Sequence, residues 1–529
     1  MSLTLRYTLM EHWPPLAWLA RCDGGQAHVL VLHGPRVETC PDWFAEAVWA
    51  GSYPAGDFDR TDLVFGSGGR LRGDSVVFVP SGTTVDRLQV LARAGGYLVS
   101  NSLACLLEAA HADLDPVYPH YYRDFSSITR GLGRGAHSLS TSAGPVSLEY
   151  FHNLRWKGSA LHHEPKPQPA RDFSSFARYR AFLDRTLELL SANLQSADRR
   201  HRYRLLGTLS SGYDSPTIAV LARPHGLSEV LSFRSACAGC ADDGQVLGSI
   251  LGLRVYTVAR DAWRHTMVPE APFLAADAKG EDVYFAGAEA MLAGRVLLTG
   301  FHGDKMWDRD TTALGDNIVR GDQSGLSLTE YRLRVGFLHC PLAFAGVRQV
   351  RDVNAISRSP ELKPWDVTGS YSRPICRRIV EDAGVPRHAF GVAKRASSVL
   401  FFRRESFLSP SSLADYQEWL AGHAAEWRRR GRTPPVRRDA ASWRRTLAAA
   451  SRLARAAAPP APRRVAAAVH AVARRLDLMA QREPLFEFVF PWAIQRARAA
   501  YAEGHTRARA TAKAATRDPR DQPAITLGA

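Results

Sequence analysis

The sequence predicts a chain of mixed α/β and α+β class. A β-rich N-terminal part precedes an α/β part built on a parallel sheet, and a helical, basic extension follows. Three observations carry this expectation. Short β-branched runs punctuated by Gly, Pro, Asp and Ser fill the first 150 residues, as strands and turns require. From Phe176 onward strand patterns alternate with helical ones, the signature of a parallel sheet covered by helices. Beyond residue 410 alanine and arginine dominate.

Each element follows in order. Residues 1–156 contain HVLVLHG, SVVFVPS and GYLVSNS as strands, with a helix at SLACLLEAAHADL. Residues 157–175, KGSALHHEPKPQPARDFSS, hold prolines and no apolar periodicity, so a linker is expected. Residues 176–410 form the α/β part. There FARYRAFLDRTLELLSANLQS sets Leu183, Leu187 and Leu190 on one helical face. RLLGTLS, VLSFRS, RVYTVA and RVLLTG read as four strands. SPTIAVLARPHG reads as the helix after the first strand, and Asp243 to Leu251 as the helix after the second. Residues 411–529 are expected to be helices broken at Pro434–Pro435 and Pro459–Pro462, ending in a disordered tail after residue 515.

Composition narrows the class. A hydrophobic content of 45% with 23% charged residues excludes wholesale disorder and fibrous repeats. No apolar stretch approaches the roughly 20 residues of a membrane helix. The start, MSLTLRYTLMEHWPP, lacks the regions of a signal peptide. Seven cysteines, an odd number, argue against a disulfide framework. A soluble, cytoplasmic protein is expected. The net charge is +16, yet residues 421–529 carry 22 basic against 8 acidic residues. Basicity therefore belongs to the extension, which suits nucleic acid, anionic lipid or an acidic peptide and equally a solvated helical face.

The most informative segment is LLGTLSSGYDSP, residues 205–216. An apolar strand runs into a Ser/Gly turn and then into a helix with Pro216 near its start. Backbone N–H groups at such a start favour an anion. Ser210, Ser211 and Ser215 add hydroxyl donors, and Gly212 lets a phosphate approach the chain. Asp214 is a candidate ligand for magnesium. The GK[ST] ending of a Walker loop is missing. The same segment also fits an ordinary strand–helix connection capped by serine. A second strand, LLTGFHGDK at 297–305, ends in Gly300, Gly303 and Asp304. Neighbouring strand ends of a parallel sheet meet at one crevice, so Asp214 and Asp304 are expected to converge on one magnesium.

These residues resemble the asparagine synthetase superfamily. SSGYDS is similar to its SGG-x-DS pyrophosphate loop, and LTGFHGD resembles its LSG-x-G-x-D turn. Cys240 to Gln245, with SILGL after it, resembles the family's acidic pair and following helix. RPICRRIVEDAGVPRHAFGVAKRASS resembles its later helix and R-x-K segment, placing Lys394 at the catalytic lysine with Val392 in the arginine position. GGYLVSNSLACLLEAA is similar to the end of the glutaminase domain. The resemblance implies an Ntn-hydrolase-like N-terminal remnant and an ATP-pyrophosphatase domain. It further implies ATP and magnesium, with Ser210, Ser211, Gly212, Tyr213, Asp214, Ser215 and Gly300 at the nucleotide and Asp214 and Asp304 at the metal.

The departures shape the expected activity. Family members that hydrolyse glutamine begin Met-Cys, whereas this chain begins Met1-Ser2-Leu3. Glutamine hydrolysis is therefore not expected, which resembles β-lactam synthetases and lasso-peptide macrolactam cyclases. Ser211, His302 and Lys305 replace a glycine, a glycine and a glutamate of the family pattern. The implied activity is an AMP-forming carbon–nitrogen ligase acting on a small-molecule or peptide carboxylate and an amine. A tRNA-modifying enzyme and an inactive scaffold stand as alternatives. Nucleic acid and membrane insertion are not expected, and a partner protein or second copy stays open. Cys237 and Cys240, a lone CxxC, are expected to be inert buried thiols. Asp242 and Asp243 fit either magnesium contacts or helix caps.

Overall fold

The computed structural model describes residues 3–234, 244–267, 269–367, 369, 371–392, 397–435, 441–456, 469–473, 475–477 and 481–502. The β-rich N-terminal part consists of two sheets. The first contains β1 (Thr4–Leu9), β2 (Trp18–Asp23), β3 (His28–His33), β8 (Leu88–Arg93), β9 (Gly96–Ser100), β10 (Ser138–Thr141) and β11 (Gly144–Glu149). The second contains β4 (Glu38–Cys40), β5 (Trp43–Trp49), β6 (Val64–Arg72), β7 (Ser75–Val79), β12 (Asn153–Lys157) and β13 (Ala160–Glu164). Their orders are β1-β3-β2-β9-β8-β11-β10 and β13-β12-β7-β6-β5-β4. Only β1 and β3 pair in parallel within these two sheets.

Alternation explains the packing between them. Trp18, Val29 and Val31 of the first sheet meet Phe44, Val76, Phe78 and Trp156 of the second in one dry cluster. Successive strand residues face opposite sides, so each strand supplies every second residue to this layer. The buried Trp18 Nε1 donates to Ser67 Oγ at 3.0 Å, which spares it an unmet N–H. Helices α1 (Leu103–Ala109) and α2 (Tyr121–Ser126) follow β9. Ser102 caps α1 by accepting from Cys105 N.

The segment expected as a linker contains a strand. Ala160–Glu164 pair with β12 as an edge strand, and Lys166 beyond them is 2% exposed, with Nζ donating to Asn153 Oδ1 at 2.7 Å. Helix α3 (Phe176–Gln195) begins where its periodicity starts, capped by Ser175. It buries Leu183, Leu187, Leu190 and Leu194 on the predicted face.

Five parallel strands form the third sheet: β14 (Arg204–Thr208), β15 (Glu229–Phe233), β16 (Arg254–Val258), β17 (Arg295–Thr299) and β18 (Leu338–Pro341). Their order is β16-β15-β14-β17-β18, with every pair parallel. The fifth strand, LHCP, is an addition to the four expected. Helices α4 (Asp214–Ala222), α5 (Gln245–Leu251) and α6 (Ala271–Asp277) occupy the crossovers. The chain runs outward from β14 to β16 and then returns to the other side of β14 at β17. That reversal makes the β14–β17 boundary the switch point of the sheet.

In the extension, helices span Pro410–Gly422, Ala424–Arg429, Ala441–Ala456 and Val489–Arg498. The last of these packs on α6 and α1. Trp492 Nε1 donates to Asp415 Oδ2 at 2.7 Å, which joins the last helix to the first of the extension. Among the described residues no helix is long and apolar enough to cross a membrane. The expected tail beyond residue 515 lies outside the described residues.

Candidate functional site

The C-terminal ends of β14 and β17 open onto one cavity of about 180 Å³. Ser210, Gly212, Tyr213, Asp214 and Ser215 line one side, and Gly300, His302 and Asp304 line the other. Leu231 and Phe233 at the end of β15, with Tyr284 and Phe285, supply apolar wall. The two turns that the sequence singled out thus share one crevice at the switch point of the sheet.

The first turn is held by its own serines. Ser210 N donates to Ser215 Oγ at 3.0 Å, the two hydroxyls lie 2.8 Å apart, and Gly212 N donates to Ser210 Oγ at 3.3 Å. Ser211 presents its carbonyl to Gly391 N at 2.9 Å. Tyr213 anchors the turn from behind. Its ring packs against Tyr371 and Phe390, and its hydroxyl accepts from Arg377 Nη2 at 2.5 Å. Burial pushes the Tyr213 hydroxyl above its ordinary pKa, although Arg377 opposes this. Asp214 is the first residue of α4, so its backbone belongs to a helix start.

Contact between the turns explains the glycines of the second. A Cβ on Gly300 would stand 2.5 Å from Asp214 Cβ and 2.7 Å from its carbonyl carbon. A Cβ on Gly303 would stand 2.6 Å from Asp214 Cγ. Neither site admits a side chain without moving the first turn. Asp304 sits in the short helix Gly303–Met306, its carboxylate against Gly321, where a Cβ would lie 2.4 Å from Oδ2. His302 takes φ of +76°, the left-handed region that glycine enters most easily. A glycine would hold this turn with less strain than a histidine does. His302 stacks on Phe344 with ring centroids 4.4 Å apart. Burial pushes its imidazole down to about 3, so it is neutral.

Arg373 is the charged partner of Asp214 that sequence reasoning missed, along with the wall residues Tyr284, Asp322, Ser324 and Tyr371. It precedes helix Pro374–Asp382 and is 3% exposed at its side chain, and its Nη1 donates to Asp214 Oδ1. Burial opposes the Arg373 charge, but the Asp214 carboxylate outweighs it and keeps the guanidinium protonated. The available signal was an arginine directly before a proline-started helix, inside the stretch RPICRRIV. Tyr371, Asp322, Ser324, Ser397 and Ser398 complete the walls. Behind them Arg320, buried, donates from Nη2 to Ser324 O.

Several sequence candidates lie outside the described residues: Lys394, Cys237, Cys240, Asp242, Asp243 and Ser2. Among the described residues no cluster of three or more His, Cys, Asp or Glu is placed to hold a metal ion. Asp214 and Asp304 are two hard oxygen donors facing one cavity, a set that suits magnesium when substrate phosphates and water supply the other ligands. No protein-family model matches the chain, and no curated protein matches it in sequence.

Proposed function

We propose that this chain is an ATP-dependent, AMP-forming amide ligase that adenylates a substrate carboxylate and condenses it with an amine, without hydrolysing glutamine. One observation carries the reading: two strand-end turns, each bearing an aspartate, touch across glycines at the switch point of a parallel sheet. In this reading the N-terminal sheets are an Ntn-hydrolase-like remnant, and the parallel sheet is an ATP-pyrophosphatase domain.

The substrate carboxylate attacks the α-phosphorus, and pyrophosphate leaves toward Ser210–Ser215. Backbone N–H groups at the start of α4 hold its charge. Magnesium, held by Asp214 and Asp304, would neutralise phosphate charge. The cavity of about 180 Å³ is below the roughly 300–1,000 Å³ of a whole-ligand site, so in this reading it receives the phosphates while the nucleoside extends beyond it. Lys394 is assigned to charge developing at the acyl centre, as fixed cations commonly act. An amine on the same molecule as the carboxylate gains effective molarity, which favours a macrolactam or another natural-product amide. The test supplies ATP, magnesium and a panel of amino acids and short peptides, and reads pyrophosphate release. Release that survives Asp214→Ala overturns the assignment.

The Arg373–Asp214 ion pair favours a second reading. Arg373 already occupies the carboxylate that a metal needs, as in a nucleotide-binding scaffold without turnover. ATP binding with no pyrophosphate release, in both the wild type and Arg373→Gln, would select it.

A further inference from the structure

We propose that the extension docks on the surface of a membrane rich in anionic lipid, through helix Ala441–Ala456 and the helical residues 469–473 and 475–477. Ser451 Oγ donates to Ala473 O at 3.0 Å, which packs the first helix on the second. Ser451 is buried and Leu447 and Ala448 are half-buried, while Arg445, Arg452 and Leu453 are exposed. Leu453 is 71% exposed, and Val472 on the second helix is 55% exposed beside the exposed His470 and Arg475. Aliphatic side chains thus stand in water among arginines.

Charge fixes the kind of partner. Residues 437–482 hold eleven arginines against two aspartates, Asp439 and Asp477. The helix Ala441–Ala456 contains four arginines and no acid, so i,i+4 ion pairs within the helix do not explain its charge. Such a surface attracts an anionic one. Among anionic partners a lipid headgroup layer uses both features, because arginines meet phosphates while aliphatic side chains enter the acyl boundary. A nucleic-acid strand would use the cations and stack on aromatic rings, and Leu453 and Val472 offer none. This surface is independent of the crevice and of the proposed ligase activity.

The test uses the full chain sedimented with vesicles of phosphatidylcholine alone or mixed with phosphatidylglycerol. Binding is expected only to the mixed vesicles, weakening as salt rises from about 0.1 M to about 1 M. Arg445→Gln/Arg452→Gln/Arg475→Gln is expected to weaken it at least about tenfold. Leu453→Gln/Val472→Gln keeps the charge and is expected to weaken it about threefold or more. All five side chains are exposed, so melting temperatures should match the wild type. Equal binding to both vesicle types, or binding indifferent to both variants, overturns the proposal. Salt-sensitive binding to an RNA probe with none to the mixed vesicles also overturns it, in favour of a nucleic-acid surface.

Discussion

Arg332 Nη1 donates to Glu46 Oε2 across 2.6 Å, with the two side chains 1% and 0% exposed. Glu46 lies in β5 of the N-terminal sheets and Arg332 in helix Thr329–Val335, which leads into β18. Arg332 Nε also reaches Asp86 at 3.1 Å, and Ser67 Oγ donates to Glu46 at 2.6 Å. Burial opposes the Arg332 charge, but Asp86 and Glu46 outweigh it. A buried ion network, in which Asp86 Oδ2 alone lacks a hydrogen-bond partner, therefore joins the β-rich part to the α/β part.

Removing one partner should expose that coupling. Arg332→Met leaves Glu46 and Asp86 buried without their cation, which costs about 3–5 kcal/mol. Urea unfolding followed by tryptophan fluorescence and by circular dichroism should shift as one transition. Two separated transitions in the wild type would show that the parts fold independently.

Gly300→Ala probes the contact between the turns. The new Cβ meets Asp214 Cβ and backbone, so one turn must move, at about 1–3 kcal/mol of overpacking. ATP affinity should fall about tenfold or more if the crevice binds nucleotide as proposed. Gly315→Ala, where a Cβ meets nothing within 4 Å, is the control and should change neither affinity nor stability.

Asp282 predicts a pH dependence. Burial raises its carboxyl to about 7, despite hydrogen bonds from Ser327 and from Gly325 N. The folded state thus holds a proton that the unfolded chain releases near pH 4. Stability from this group is full below about pH 4 and is lost as pH rises toward 7, by at most about 4 kcal/mol. Asp282→Asn should lessen the fall of the unfolding free energy over that window, with Glu281, which burial also raises to about 7, keeping its own share. An unchanged slope in chemical denaturation at pH 4 to 7 would refute the assignment.

The proposed reading uses no glutamine, so labelled glutamine with ATP and magnesium should yield no glutamate. Substantial glutamate release would refute the glutamine-independent reading.

The strand, turn and helix at 204–222 were legible because an apolar run, a Ser/Gly turn and Pro216 are all local signals. That Asp214 and Asp304 line one cavity followed from one rule about parallel sheets. Arg373 was not legible, since its partner is 159 residues away and pairing over such a span leaves no periodic trace. The edge strand Ala160–Glu164 escaped because it buries no residue and so shows no alternation. LHCP hid for the opposite reason: all four residues are buried, and its end in Cys340-Pro341 resembles a loop.

Trp13 Nε1 donates to Tyr501 O at 3.3 Å, a bond that spans 488 residues. Tyr501 also contacts Glu330, which accepts from Ser102. At roughly 5–20 residues per second a ribosome needs on the order of a minute to join these positions. Until then the loop around Trp13 and the cap of α1 lack their last neighbour. The nascent chain must therefore carry an unsealed apolar flank through most of its synthesis, so premature termination just short of Tyr501 should leave a protein that aggregates rather than one that is merely less active.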